Sequence, residues 1–223
     1  MKFSERGKLR GDLTDDTDDF YREGVPFWRA GGAAKYDKTS LINSSEAHEF
    51  LFFYKPDAAA DESCLGQWQS SPFAVDADEY LCAEQFMMAS KAQIFGDEQT
   101  RARIMQSRDA KQMKALGRQV RGFDERLWGE VRYSVVLSGN YYKFTQNPAM
   151  MRFLLATGDK ILVETSPLDK ICGIGLGLQS ENASRPSAWR GQNLLGFALM
   201  EVRDELRRLY KNYDLIDKKF LRD

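Results

Sequence analysis

The sequence predicts a mainly α-helical domain with a few short β-strands, an α+β fold, on three observations. Apolar side chains recur at three- and four-residue spacing, most plainly at Leu195, Leu199, Val202, Leu206 and Leu209. Strand-like density is confined to short runs, EFLFFY from Glu49, SPFAVDADEY from Ser71 and KILVET from Lys160. The 223 residues fit one domain of generous size, large enough to bury a core and still carve a pocket.

Taken in order, residues 1–47 are polar, rich in Asp, Gly and Ser, with scattered aromatics such as Phe20, Phe27 and Trp28. They read as an N-terminal extension or arm, and the domain proper as residues 48–223. EFLFFY is its first strand, and SPFAVDADEY a second that leads into a helix. That helix, DADEYLCAEQFMMASKAQIFG, carries a start signal at Asp76 or Asp78 and a C′ glycine at Gly96. Two more helices fill 97–118, and another spans ERLWGEVRYSVVLSGNYYKF. Asn147 and Pro148 read as an N-cap and a first-turn proline, opening a helix that stops at Gly158. KILVET is a strand, residues 168–192 a glycine-rich loop, and NLLGFALMEVRDELRRLYK a long amphipathic closing helix. There is no internal repeat and no heptad run long enough for a coiled coil.

Composition removes several function classes. With 32 basic against 33 acidic side chains there is no global field to steer the chain onto a nucleic-acid backbone or an anionic membrane. Three separated cysteines, Cys64, Cys82 and Cys172, argue against a disulfide framework and against paired-cysteine zinc spacing. No stretch of 18 apolar residues and no apolar leader segment occurs, so the expectation is a cytoplasmic protein with no membrane partner. The single histidine, His48, lacks metal-ligand spacing and removes histidine-rich metal centres. The expected chemistry is therefore run by carboxylates, amides, lysines or ring stacking, with no metal and no organic cofactor.

Glu84 is the first candidate. It lies three residues after Leu81 and four before Met88 on an apolar stripe that continues to Phe95, so its carboxylate points toward the core. An unpaired buried carboxylate costs several kcal/mol, roughly, unless it finds partners or a proton, which is how catalytic acids and bases are tuned. Lys91 sits two turns further on, about 10 Å along the axis, able to line the same cleft. Trp128 shares a face with Val131, Arg132 and Val135; core packing is the ordinary reading, and a stacking surface for a nucleobase the functional one. Asp169 precedes Gly173, Gly175 and Gly177 in a loop whose backbone can approach a ligand closely, although an aspartate before glycines is commonly a turn residue. Arg118, Arg121 and Lys143 supply cations at helix ends for phosphate, or simply solvated charge.

Taken together, FFY at 52–54, AEQFMMASK from Ala83, LGR at 116–118, LW at 127–128, YYKF at 141–144, LLATGDKILVE from Leu154, DKICG from Asp169 and GQNLLGFALMEVR from Gly191 resemble the NADAR family over about residues 50–207. The resemblance implies a single compact domain and N-glycosidase activity. It places catalytic roles on Glu84, Trp128 and Asp169, and a substrate-binding set on Lys91, Arg118, Lys143, Gly173 and Asn193. It also implies a small-molecule nucleotide or ADP-ribose-linked substrate, including ADP-ribosylated nucleic acid. Two substrates follow: guanine-linked ADP-ribose, or a ribose-phosphate pyrimidine intermediate of riboflavin synthesis. A non-catalytic ADP-ribose or nucleotide reader is the alternative from another class. Gln85 and Lys91 occupy positions the family motif fills with a polar residue and a lysine. The chain departs from the pattern after Asp169, where Ile171 and Cys172 replace aromatics usual in bacterial members.

Overall fold

The structure, a computed structural model, describes residues 34–54 and 61–210; residues 1–33 of the expected arm lie outside them. Among the described residues are seven α-helices and four short strands. Helix α1 (Lys38–Asn43) is capped by Asp37, whose side chain accepts the Ser40 N–H. Tyr36, whose hydroxyl donates to Asp204 at 2.6 Å, ties its start to the C-terminal helix, and Lys38, whose ammonium donates to the Trp189 carbonyl at 2.6 Å, ties it to the loop before that helix. Strand β1 (Phe50–Phe53) pairs in parallel with β4 (Ile161–Glu164), Phe50 beside Ile161 and Phe53 beside Glu164. A 3-10 turn (Asp61–Leu65) follows β1 in the chain.

The expected helix start at Asp76 or Asp78 is a β-hairpin instead. β2 (Phe73–Val75) and β3 (Asp78–Tyr80) form an antiparallel hairpin, with Asp76 and Ala77 as its two-residue turn. Asp76 takes φ 54°, a left-handed conformation that a short polar side chain tolerates. Helix α2 (Ala83–Ile94) begins only after the extended Cys82. Its start is fixed by Gln85, which accepts the Leu81 N–H at 2.7 Å and donates to the carbonyls of Ile104 and Met105 at 3.0 and 3.2 Å. One buried amide thus ties α2 to the end of α3 (Glu98–Gln106). The expected glycine stop holds, with Gly96 at φ 69°.

Asp97, Asp109 and Asp124 cap α3, α4 (Ala110–Gly117) and α5 (Glu125–Gln146), each accepting a backbone N–H of the first turn. Asn147 and Pro148 open α6 (Pro148–Ala156), which ends before Gly158 at φ 58°. After β4, the glycine-rich loop and a short 3-10 turn (Pro186–Ala188) lead to α7 (Leu194–Tyr210). Helix α2 packs against α3, α4 and α5, while α7 covers β4 and lies against α5. The core is continuous across these layers, and Leu162, Val163, Leu195, Leu199 and Val202 within it are fully buried. No helix among the described residues is long and apolar enough to cross a membrane.

The α7–β4 contact is backbone-close. A Cβ on Gly196 would lie 2.0 Å from the Leu162 carbonyl oxygen. Gly196→Ala should therefore destabilise the protein by about 1–3 kcal/mol in urea melts, more than the roughly 1 kcal/mol that alanine contributes over glycine in a helix. An unchanged or raised midpoint would show that α7 can lift from the strand at no cost.

Candidate active site

A cavity of about 810 Å³ opens between the start of α2, the helix α4, the first turns of α5 and the loop after β4. Its wall holds Tyr54, Trp68, Glu84, Lys111, Lys114, Arg118, Trp128, Arg132, Glu164, Asp169, Lys170, Ile171 and Cys172, among others. Four sequence-predicted residues meet there: Glu84, Trp128, Asp169 and Arg118.

Glu84 sits on the first turn of α2, 2% exposed, and its Oε1 has no hydrogen-bond partner. Burial pushes its carboxyl above the ordinary range; Lys114, the Trp68 side chain and Arg118 pull the other way, while Asp169 adds to the rise. The positive end of α2 also favours the charged form.

Asp169 is at once a turn residue and a charge. Its Oδ1 accepts the N–H groups of Ile171 and Cys172, both at 2.9 Å, and its Oδ2 pairs with the Lys114 ammonium at 3.2 Å. Burial would raise it, but Lys114 and these amides outweigh that and hold the carboxyl below its usual range. Burial likewise opposes the charge on Lys114, yet Glu84 and Asp169 keep the ammonium's affinity for its proton above normal. Glu164 closes the group. Burial and the neighbouring Asp169 push its carboxyl up to about 8, and its Oε2 is buried with no hydrogen-bond partner.

Trp128 is 4% exposed, part of the core and part of the cavity wall together. Ile171 and Cys172 also line the cavity. Burial drives the Cys172 thiol well above its usual range, so it is an inert wall.

Four members of the expected substrate-binding set lie elsewhere. Lys91 donates to the Gly117 carbonyl at 2.9 Å and lies over the Phe123 ring at 3.9 Å, spending its charge on the last residue of α4. Lys143 is fully buried and donates to the Gly66 carbonyl at 2.8 Å; burial lowers its ammonium to about 8. YYKF reads as a solvated helix end, but this face of α5 is interior, and a Cβ at Gly139 would meet the Phe86 ring at 2.7 Å. Gly173 packs closely on backbone: a Cβ there would lie 2.8 Å from the Glu164 carbonyl oxygen. Asn193, at φ 56°, bridges β4 instead, accepting the Glu164 N–H at 3.0 Å and donating to the Leu162 carbonyl at 2.8 Å.

Sequence reasoning missed Lys114, Glu164 and Trp68. The signal for Glu164 was present, a charge ending an apolar strand. Lys114 had none, because the cavity that turns α4 inward comes from tertiary packing. Among the described residues no group of three or more His, Cys, Asp or Glu side chains is arranged to hold a metal ion.

The NADAR domain family model matches residues 52–207. N-glycosidase R617 of Acanthamoeba polyphaga mimivirus is 46% identical over 166 residues, spanning 72% of this chain and 98% of the viral protein. Protein irg-1 of Caenorhabditis elegans is 36% identical over 176 residues, spanning 74% of this chain and 83% of the worm protein. The NMR structure of Escherichia coli YbiA superposes with a TM-score of 0.60 at 23% identity, covering 76% of this chain and 93% of YbiA. At that identity the likeness is one of fold.

The state of Glu164 has a consequence for stability. With its folded carboxyl raised to about 8, the native protein keeps a proton that the unfolded chain loses near 4.5. The contribution of Glu164 to native stability is therefore greatest below that range and declines as pH rises toward 8, by up to about 1 kcal/mol per pH unit. Glu164→Gln should gain on the wild type steadily from pH 5 to pH 8 in urea melts. Parallel pH dependences in the two proteins would show that Glu164 ionises freely in the fold.

Proposed function

The chain belongs to the NADAR domain family, and we propose that it hydrolyses the C1′–N bond of a nucleobase carrying ADP-ribose. The coarser statement, a hydrolase of N-glycosyl compounds, has the support of an N-glycosidase 46% identical over nearly its whole length. The observation that carries the finer reading is Glu84: a carboxyl buried at the wall of a nucleotide-sized cavity, one oxygen unpartnered, beside the Asp169–Lys114 pair.

Breaking a C1′–N bond passes through an oxocarbenium-like sugar, so the site needs negative charge near C1′ and a base to activate water. Glu84, its proton affinity raised by burial, is suited to take a proton from water. Asp169 stays ionised, and its partly exposed carboxylate can hold ribose hydroxyls and face the developing positive charge. Trp128 and Trp68 offer flat surfaces to a base. Lys111, Arg118, Arg132 and Lys170 put positive charge around the same cavity, where a diphosphate would need it. A volume of about 810 Å³ leaves room for both ends of ADP-ribose.

Glu84→Gln keeps size and hydrogen bonding but removes the base. Turnover should fall by about 100-fold or more in a protein that melts as the wild type does. The substrate is decided by incubating the protein with DNA carrying guanine-linked ADP-ribose and, separately, with the ribose-phosphate pyrimidine, and reading released base and sugar by mass spectrometry. Release from the first alone is expected; release from the second alone would reassign the substrate. Tight ADP-ribose binding without turnover of either would make the chain a reader. Trp128→Ala should weaken ADP-ribose binding by about 1–3 kcal/mol and also cost about 3–5 kcal/mol of folding stability, because the ring is both wall and core. Unchanged affinity in the folded fraction would leave it a packing residue.

A further inference from the structure

Beside Glu84, the cavity wall holds a second glutamate, half-buried, that neither water activation nor ribose binding uses. Glu164 ends β4, and its backbone is pinned on both sides: its N–H donates to Asn193 at 3.0 Å, and its carbonyl accepts the Ile174 N–H at 2.9 Å. Gly173 presses against that carbonyl so closely that no side chain fits between them. The side chain lines the cavity, its Oε2 buried and without a hydrogen-bond partner. The titratable groups that bear on it are Asp169, Lys114 and Glu84, with the Cys172 thiol beside them.

Charge balance sorts these groups. Lys114 is committed to Asp169 at 3.2 Å, and no lysine or arginine among the described residues forms an ion pair with Glu164. Carboxylates crowded into one low-dielectric pocket do not all ionise; the least compensated keeps its proton. Glu84 has a helix N-terminus, Trp68, Lys114 and Arg118 favouring its charge, whereas Glu164 has Lys114 alone against two acidic neighbours.

We propose that Glu164 is the acid of the reaction, giving its carboxyl proton to the nitrogen of the departing base while Glu84 takes one from the attacking water. This rests on the N-glycosidase reading. The electrons of the C1′–N bond pass to the base nitrogen, which binds the Glu164 proton, and the water oxygen bonds to C1′. The cycle ends with Glu164 ionised and Glu84 protonated, and proton exchange through solvent restores both. A base leaving as an anion is a poor leaving group, so a positioned acid contributes about 10²–10⁴-fold.

The test compares Glu164→Gln with the wild type on guanine-linked ADP-ribose and on its N7-methylated form, whose cationic base departs with far less need of a proton. We expect a loss of about 100-fold or more on the first and within about tenfold on the second. The wild type should also lose kcat/KM on the first substrate as pH rises through about 8, a limb absent from the variant. Glu84→Gln, lacking the base, should slow both substrates alike, which separates its failure from that of Glu164. Equal losses on both substrates in Glu164→Gln, or near wild-type rates on the unmethylated one, would overturn the proposal. Should the variant not fold, the wild-type profiles decide: an alkaline limb on the unmethylated substrate alone supports it, and the same limb on both overturns it. If the wild type leaves the guanine linkage intact, the proposal falls together with the reading beneath it.

Discussion

Three carboxyl groups share the Lys114 ammonium as a common counter-charge, and much of the surrounding architecture holds that arrangement in place. Glu84, Glu164 and Asp169 come from a helix start, a strand end and a loop, and each is coupled to the others through Lys114 on α4. Packing them in one low-dielectric pocket is unfavourable unless their protonation states differ. The structure separates them by environment. Asp169 receives the ammonium and two backbone N–H groups, Glu84 receives a helix N-terminus and weaker cationic influence, and Glu164 receives least.

Such a group has to be held rigidly, since small displacements would let the charges pair or hydrate in other ways. Most of the supporting side chains never touch the cavity. Asn193 fills the hydrogen-bonding capacity of β4 around Leu162 and Glu164. Gly173 and Gly191 let the loop fold onto itself, a Cβ on Gly191 falling 2.2 Å from the Gly173 carbonyl. Lys143, buried whole, ties α5 to the Gly66 carbonyl, and Gly66 itself lies on the cavity wall. Gln85, beside Glu84, spends its amide on joining α2 to the end of α3. Each of these residues keeps the cavity wall in register, and a substitution there acts through geometry.

The comparison of sequence with structure turns on what kind of information each residue carried. Glu84 was legible because helical periodicity alone sets a carboxylate among apolar neighbours, and the structure buries it to 2% exposure. The start of its helix was misplaced because DAD offers two capping aspartates, and only pairing of Phe73–Val75 with Asp78–Tyr80 puts Asp76 in a hairpin bend and Asp78 in a strand. Lys91 and Lys143 were read as cleft and surface cations because charge on a helix suggests water; both are instead absorbed by backbone carbonyls. The glycine loop was read as room for a ligand, and the close approach is real, but it is to β4.

Local pattern by itself determined most of the helices, the Asn147–Pro148 start, the glycine stops at Gly96 and Gly158, the β1 and β4 runs and the buried position of Glu84, because these follow from spacing within a single stretch of chain. Tertiary structure alone decided which side chains meet in the cavity. Lys114 joins Asp169 across 55 residues, and Asn193 reaches Leu162 across 31. A proton affinity is set by the charges and burial around a group, so the different states of Glu84, Glu164 and Asp169 exist only once α2, α4, β4 and the loop have closed around them.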